Sequence, residues 1–268
     1  MKIICLVKFT PDIENFIYDY EKNVLVRENT RMILNPDDAC ALAFALKVKE
    51  KQPETLVEIV TMGPMSVVPL VADLLRRNAD KATVISDKAY VGSDTYITSK
   101  ILGRYLKTQT YDCILTGTHA IDGDTSHVPS QLGEILNVSQ MSNIVKIDEA
   151  SLLATTEKSN VLVDVDGEYV VSTYEIELPA ILSVIKESKY KLPYIKYKDI
   201  ELDVNDRITI ITNESLQFQP QDVGIEGSLT KVSRTYVKRM EKVDQLFLKN
   251  DEAGIETVYT FLKTKGFI

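Results

Sequence analysis

The chain has 268 residues and a mass of 30.2 kDa, enough for one large domain or a medium-sized domain with an appended arm. Hydrophobic residues make up 44% and charged residues 26%, a globular balance that excludes a disordered or collagen-like protein. The net charge of −8, with no dense lysine and arginine tract, argues against nucleic-acid binding. No apolar run approaches the roughly 18 residues of a membrane helix, so we expect no membrane insertion.

The cysteines and histidines indicate the redox compartment of the protein and whether a metal site is expected. Cys5, Cys40 and Cys113 are widely spaced, and two of them lie in apolar runs. This pattern predicts buried thiols in a reducing cytoplasm rather than a disulfide framework. The two histidines, His119 and His127, lack neighbours at ligand spacing, so no metal site is predicted.

The first two thirds of the chain alternate strand and helix patterns. Strands are predicted at residues 3–8, 57–62, 83–86 and 113–116, with a hairpin at 16–26. Helices are predicted from residue 36 onward and at 65–77, 94–107 and 130–136. This βαβ order predicts a parallel sheet flanked by helices, in which ligands bind outside the carboxyl ends of the strands.

The helix at residue 36 has strong start signals. Asn35 is predicted to cap it, Pro36 suits the first helical position, and Asp37 and Asp38 complement the helix dipole. The dipole explains these two carboxylates better than acid–base catalysis does. No Ser-His-Asp order or other nucleophile and base can be named, so we predict no catalytic residue.

Beyond residue 143 the pattern changes. A hairpin is predicted around Asp166-Gly167, followed by an apolar run at 180–185. Residues 187–240 are polar and lack sustained apolar periods, while 241–249 and 251–264 have helical patterns. We therefore predict an α/β domain over 1–186 and a C-terminal arm over 187–268 that lies on another surface.

Two loops are candidate ligand sites. The first, residues 117–126, follows a strand and combines small residues with Asp122 and Asp124. It suits either close backbone approach to a nucleotide or a polar loop with Asx turns. In the second, Thr95, Thr98 and Ser99 share one face of a helical first turn and could hold a pyrophosphate, but the residues alone favour an ordinary N-cap with surface hydroxyls.

Several stretches together resemble the electron-transfer flavoprotein β subunit family, in order along nearly the whole chain. The motifs are Val7-Lys8 with Pro11-Asp12, Asn35-Pro36-Asp37-Asp38, Thr61-Met62-Gly63-Pro64, Ala120-Ile121-Asp122-Gly123-Asp124-Thr125 and Leu178-Pro179-Ala180. The resemblance implies a flavodoxin-like or adenine-nucleotide-hydrolase-like α/β domain that pairs with an α subunit in an electron carrier.

The resemblance also implies an adenine nucleotide at the strand ends, either AMP or the adenosine part of FAD. The implied contacts are Leu6, Asn35, Pro36, Asp37, Asp38, Met62, Gly63, Gly117, Thr118, His119, Ala120, Ile121, Asp122, Gly123, Asp124, Thr125, Ser126, His127 and Val128.

The resemblance favours FAD over AMP in this chain. Residues 92–99, which read Gly-Ser-Asp-Thr-Tyr-Ile-Thr-Ser, are similar to a stretch of members that hold FAD in the β subunit, and residues 224–232 are similar to their C-terminal arm. Thr95, Thr98 and Ser99 would then hold phosphates. Such members can bifurcate electrons from NADH, so NAD in the complex is also implied.

The chain departs from the family in the partner-recognition loop. The run that is usually rich in lysine contains Asp199, Glu201, Asp203 and Asp206. The implied redox partner is therefore an acyl-CoA dehydrogenase or another enzyme. An alternative from a different class is a non-redox, stress-protein-like module that binds an adenine nucleotide.

Overall fold

The computed structural model describes residues 1–12, 17–19, 24–26, 31–154, 160–231 and 246–268. The chain divides into two compact units, Met1–Lys231 and Val232–Ile268. The first unit contains the predicted α/β domain. The contact of residues 187–268 with a partner subunit stays a prediction.

Thirteen strands lie within the described residues. They are β1 (Lys2–Leu6), β2 (Phe9–Pro11), β3 (Ile17–Asp19), β4 (Val24–Val26), β5 (Met32–Leu34), β6 (Leu56–Met62), β7 (Lys81–Ile85), β8 (Cys113–Gly117), β9 (Ser139–Ile147), β10 (Asn160–Asp166), β11 (Val171–Glu177), β12 (Ala180–Val184) and β13 (Ile208–Ile211). Strands β2 and β5 form one small antiparallel pair, and β3 and β4 form another.

Nine strands form the central sheet, in the order β11-β10-β9-β12-β8-β1-β6-β7-β13. The strands from β9 to β13 in that order are parallel, while β10 and β11 form an antiparallel extension. From β1 the chain moves outward to β6 and β7 and then returns to β8, on the other side of β1. The crevice beyond the ends of β1 and β8 is thus a topological switch point, where open α/β sheets bind ligands.

Helices cover both faces of this sheet. They are α1 (Pro36–Lys51), α2 (Val68–Leu75), α3 (Thr95–Leu106), α4 (His127–Leu136), α5 (Glu149–Leu153), α6 (Asn213–Leu216) and α7 (Gly224–Gly227). One core layer joins Ile3 and Cys5 of β1 to α1 and α2, and the other joins Ile4 and Leu6 to α3 and α4. Because alternate residues of a strand point to opposite faces, the continuous apolar run at the N-terminus fills both layers. The predicted α/β fold is confirmed.

Most predicted elements agree with the structure to within a few residues, but two helices differ in detail. The segment predicted as one helix over 65–77 begins as a 3-10 turn at Met65–Val67 and continues as α2. The helix predicted at 130–136 begins three residues earlier, at His127. Strands β3 and β4 pair as the predicted hairpin, whose turn at residues 21–23 lies outside the described residues.

Residues 187–231 have more core than their polar sequence indicates. Strand β13 pairs in parallel with β7 at the edge of the sheet, although no strand was predicted there. Leu216, Phe218 and Val223 are buried in the same layer as α3. The lack of apolar periodicity did not indicate this contribution, because these isolated apolar side chains pack onto a core made by the rest of the chain.

The second unit contains helix α8 (Glu252–Thr264), as predicted. Asp251 caps it by accepting a hydrogen bond from the Gly254 amide at 2.9 Å. Residues 246–249, where a helix was predicted, are not helical, and residues 241–245 lie outside the described residues. Within the parts of the chain that the structure describes, no helix is long and apolar enough to cross a membrane.

The three cysteines are free and buried, as their sequence context predicts. Cys5 and Cys113 are fully buried on the neighbouring strands β1 and β8. Burial raises the pKa of the Cys113 thiol to about 12 and that of Cys5 well above its ordinary value. Both side chains therefore act as small apolar core residues.

A buried carboxylate on β6 anchors an ionic cluster at the opposite end of the sheet from the predicted nucleotide loops. Glu58 is 1% exposed and lies 3.0 Å from the Lys2 ammonium and 3.1 Å from that of Lys81. Tyr105 donates its hydroxyl hydrogen bond to the same carboxylate at 3.0 Å. Burial alone would raise the pKa of Glu58, but hydrogen bonds and charge from the two lysines outweigh it and lower the pKa.

We expect Glu58→Gln to reduce the free energy of unfolding by about 2 kcal/mol, because the substitution leaves two partly exposed ammonium groups beside a neutral amide. Since the folded-state pKa is lowered, this stabilisation is present above the ordinary carboxyl pKa and is lost as pH falls through the folded-state value. Urea denaturation at pH 7 measures the effect. Glu54→Gln, at an exposed position, is the control; equal stability of the two variants would contradict the assignment.

Candidate functional site

The first turn of α1 holds the loop that follows β8. Asn35 was predicted to cap α1, but its side chain makes no capping hydrogen bond. Instead, its amide nitrogen donates to the His119 carbonyl at 2.7 Å, and its amide oxygen accepts from the Ile121 amide at 3.2 Å. The predicted capping role is wrong because tertiary partners 84 and 86 residues away occupy both ends of this side chain.

Asp38 lies in the switch-point crevice and joins the two strand ends. Its carboxylate accepts a hydrogen bond from the Lys8 amide, after β1, at 2.9 Å and from the Gly117 amide, at the end of β8, at 2.7 Å. The side chain is 4% exposed, and burial raises the pKa of Asp38 to about 7 against the opposing effect of these bonds. Asp38 thus sets the spacing of the two loops rather than only complementing the helix dipole.

Asp37 links the same loop to the end of β12. One carboxylate oxygen lies 2.6 Å from His119 Nδ1 and accepts from the His119 amide at 3.2 Å. The other oxygen accepts from the Lys186 amide at 3.0 Å. The imidazole is therefore fixed at the rim of the site by a carboxylate that is itself buried.

Gly117 allows the first turn of α1 to approach β8 closely. A Cβ atom at this position would lie 2.5 Å from Asp38 Oδ1, 2.6 Å from Asp37 Cβ and 2.8 Å from the Asp38 backbone nitrogen. These distances are shorter than any normal contact, so this position requires glycine.

The rest of the loop turns back on itself before α4. The amides of Gly123 and Asp124 both donate to the Ala120 carbonyl, at 3.2 and 2.8 Å. Lys8 Nζ lies 2.7 Å from the Asp122 carboxylate, which neutralises one of the two acidic charges. Asp124 and Ser126 have positive φ angles of 48° and 54°. Thr125 is exposed within this turn.

Helix α4 begins directly after this turn without a side-chain cap. Ser126 precedes the helix in a left-handed conformation and makes no capping hydrogen bond. The amides of the first turn, which begins at His127 and Val128, have no acceptor within a helix and carry its positive dipole end. This arrangement suits an anionic group such as a phosphate.

The second predicted loop lies beside the first. Thr95 Oγ1 is 3.4 Å from His127 Nδ1, so α3 and α4 begin next to each other. Ser99 is fully buried, and its hydroxyl lies 2.8 Å from both the Thr95 carbonyl and the Gln131 side chain. Thr98 is half-buried in the same turn. Of the three predicted phosphate ligands, Ser99 is already engaged within the protein.

The remaining predicted contacts lie at the same edge of the sheet. Leu6 ends β1 and is buried, and Met62 ends the adjacent β6 with Gly63 after it. Thr118 is buried; its amide donates to the Val184 carbonyl at 3.0 Å and its hydroxyl accepts from the Asn143 amide at 3.1 Å. The tertiary structure thus brings the predicted contacts together around one carboxyl edge.

A cleft of about 530 Å³ adjoins the loop on the β9 and β12 side. Its lining includes Asp37, His119 and Asp124, which were predicted, and also Asn143, Ile185, Lys186, Glu187, Asp166 and Glu168, which were not. Asp166 was interpreted only as part of a hairpin turn, and a turn signal contains no indication of what the hairpin faces. The cleft carries more carboxylates than cations and is a poor environment for phosphate.

The comparisons with known proteins agree with this fold. The electron transfer flavoprotein domain model matches residues 22–192, more than half of the chain. The chain therefore belongs to the electron-transfer flavoprotein β subunit family, whose members transfer electrons.

Three relatives illustrate the range of the family. The chain is similar to the electron transfer flavoprotein subunit beta of Thermoanaerobacterium thermosaccharolyticum, with 30% identity over 100% of both chains. It is 32% identical to the caffeyl-CoA reductase-Etf complex subunit CarD of Acetobacterium woodii, over 88% of this chain and 87% of CarD. It is 30% identical to Protein FixA of Azotobacter vinelandii, over 88% of this chain and 84% of FixA.

Proposed function

We propose that this chain is the β subunit of a heterodimeric electron carrier and that it holds FAD at the carboxyl edge of its sheet. The observation that carries the proposal is the meeting of three segments distant in sequence. The starts of α3 and α4 meet at Thr95 and His127, and residues 228–230 contact Asp94. Two of these segments belong to the stretches, residues 92–99 and 224–232, in which the sequence resembles members with FAD in the β subunit.

The chemistry of this edge suits the adenosine and pyrophosphate parts of FAD. Leu6 and Met62 supply apolar surface at adjacent strand ends. The uncapped start of α4 and the hydroxyls of Thr95 and Thr98 supply donors for phosphate. The ion pair between Lys8 and Asp122 reduces the negative charge of the loop that would otherwise repel phosphates.

The flavin supplies the electron chemistry, since its ring accepts and releases one or two electrons. The residues of this chain bind and orient it. Asp37, Asp38 and Asn35 hold the loop that contains His119 and Ile121 in one conformation, so little ordering is required when the ligand binds. The proposal requires no general acid or base.

We further propose an electron-transfer flavoprotein α subunit as the permanent partner. CarD is named as a subunit of a reductase–Etf complex, and another relative is named as the electron transfer subunit gamma of an acryloyl-CoA reductase. These names support a redox enzyme as the second partner, either an acyl-CoA dehydrogenase or another enzyme. The acidic run at residues 199–206 favours a docking surface different from a lysine-rich one.

Nucleotide analysis of the complex tests the proposal. We expect the chain, co-expressed with its α subunit, to purify as a heterodimer that releases two FAD molecules on denaturation. One FAD and one AMP per heterodimer would overturn the FAD assignment. Purification of the chain alone with an adenine nucleotide and no flavin would support the non-redox nucleotide-binding module instead.

A variant at the start of α3 tests the site itself. We expect Thr95→Val to weaken FAD binding by the β site about tenfold, because a hydroxyl that bonds a charged phosphate is lost. Fluorescence titration of the flavin-depleted heterodimer measures this. Thr257→Val, at an exposed hydroxyl of α8, is the matched control. Equal affinities for both variants would exclude Thr95 as a ligand.

A further inference from the structure

Asp94 connects the start of α3 to a segment more than 130 residues later. One carboxylate oxygen caps α3 by accepting from the Ile97 amide at 2.9 Å. The other accepts from the Thr230 amide at 2.9 Å and from the Thr230 hydroxyl at 3.0 Å. A single carboxylate therefore satisfies donors from two parts of the chain.

The backbone of Asp94 strengthens the same connection. Its amide donates to Ser228 Oγ at 2.9 Å, and that hydroxyl lies 2.6 Å from the Gly224 carbonyl and 3.3 Å from the Gly92 carbonyl. Ser228 is 7% exposed. These contacts and those of Thr230 define the Asp94 latch, formed by Asp94, Ser228 and Thr230.

Two glycines with positive φ angles allow the latched segments to pack this closely. A Cβ at Gly224 would lie 2.4 Å from the Ala89 carbonyl oxygen, and a Cβ at Gly92 would lie 2.2 Å from Ile225 Cγ1. Gly224 has φ of 61° and Gly92 has φ of 77°, conformations that favour glycine. The segment is thus built to lie against the loop that precedes α3.

Asp94 is well suited to hold this arrangement as an anion. Burial opposes its ionisation, but hydrogen bonds from Ile97 and Thr230 outweigh burial and lower its pKa. Hydrogen bonds to a charged acceptor are stronger than neutral ones. If the Asp94 side chain lost its charge, one of its oxygens would still cap α3. The two donors of Thr230 would then lose their acceptor.

The latch acts next to the proposed phosphate ligands. Thr95 follows Asp94 directly, and the Thr95 hydroxyl lies beside the start of α4. AMP carries one phosphate, which the start of α4 can bind without help from the later segment. FAD carries a pyrophosphate and a ribityl flavin, so it extends farther and requires more protein surface.

We propose that Asp94 is a specificity-determining positioning residue, which holds residues 228–230 against the start of α3 and so completes a site for a dinucleotide rather than a mononucleotide. This inference rests on the proposed function, since it concerns the choice between FAD and AMP at the same site. Asp94 itself contacts the protein and not the ligand.

The test compares FAD and AMP as probes on the flavin-depleted full-length heterodimer. Asp94→Asn retains a capping oxygen, because asparagine is a good N-cap, but its amide nitrogen cannot accept from Thr230. We expect the dissociation constant for FAD to rise about tenfold or more, while that for AMP changes less than about twofold. Thr230→Val, which removes only the hydroxyl donor, should have a smaller effect in the same direction.

Limited proteolysis gives a readout that does not depend on the ligand. Lys231 is exposed and follows the latch, so we expect trypsin to cleave after it several-fold faster in Asp94→Asn than in the wild type. Asp148→Asn is the matched control, because Asp148 caps a different helix, α5, by accepting from the Ser151 amide at 2.7 Å. It should leave both measurements unchanged.

The possible outcomes distinguish a failure of this inference from a failure of the proposed function. If wild-type protein binds AMP but not FAD, the proposed cofactor is wrong. If the wild type binds FAD and Asp94→Asn binds it equally well, the latch has no role in specificity although the cofactor assignment stands. Equal losses of FAD and AMP in both Asp94→Asn and Thr230→Val would show a general structural role and overturn the specificity claim.

Discussion

Gly117→Ala is expected to lower the free energy of unfolding by about 3 kcal/mol or more and to abolish nucleotide retention. The added Cβ would lie 2.5 Å from Asp38 Oδ1 and 2.8 Å from the Asp38 backbone nitrogen. Backbone atoms of a helix cannot move aside as the end of a flexible side chain can. The first turn of α1 and the loop after β8 would therefore separate, and the hydrogen bond from the Gly117 amide to Asp38 would be lost.

The control for this prediction is six residues away in the same loop. A Cβ at Gly123 would meet no atom within 4 Å, so Gly123→Ala should leave stability unchanged or raise it slightly. Thermal and urea unfolding measure both variants, and nucleotide content is measured after gel filtration. If Gly117→Ala is as stable as Gly123→Ala, the close approach of α1 to β8 is wrong.

The second large effect concerns pH and the buried Asp38. Burial raises the pKa of Asp38 from 3.8 to about 7, so this carboxyl group binds its proton more tightly in the folded protein than in the unfolded chain. Stability from this group is fully present below the ordinary carboxyl pKa and is lost as pH rises through about 7. Between pH 5 and pH 8, wild-type protein should lose about 2–3 kcal/mol from Asp38 relative to Asp38→Asn, which does not titrate.

Urea unfolding at pH 5, 6, 7 and 8 measures this difference. The comparison is made between wild type and variant, because other carboxylates contribute to the pH dependence of both. Asp148→Asn is the control: hydrogen bonding from Ser151 lowers the pKa of Asp148, so its loss should not change the slope in this range. Parallel stability curves for wild type and Asp38→Asn would show that Asp38 does not titrate near neutral pH.

Local sequence patterns were sufficient to predict the strands and helices of the α/β domain. The continuous apolar run of β1 and the start signals near Pro36 and Asp94 depend on neighbours in the sequence, and the structure contains a strand or helix at each. The paired strands of the 160–177 hairpin follow the turn signal at Asp166-Gly167 in the same way. Such signals are short-range, which is why element type is predicted well and the partners of each side chain are not.

Asn35 illustrates that limit. Its residue type and position favour a cap, and any local argument reaches the same prediction. In the structure its amide group bonds the His119 carbonyl and the Ile121 amide, in a loop that only tertiary folding brings close. Strand β13 is a second case, because four residues in a polar region carry little periodicity and gain strand structure by pairing with β7.

The same distinction between local sequence signals and tertiary contacts applies to the candidate site. The sequence by itself determined the family and the parallel sheet, because these follow from motifs and from the order of strands and helices, and it predicted the edge of the sheet at which we propose that a nucleotide binds. Only the tertiary structure decided which segments meet there: Asp38 between Lys8 and Gly117, and Asp94 between Ile97 and Thr230. A carboxylate has two oxygens that can accept from distant donors, and which donors reach it depends on packing over the whole chain rather than on its neighbours in sequence.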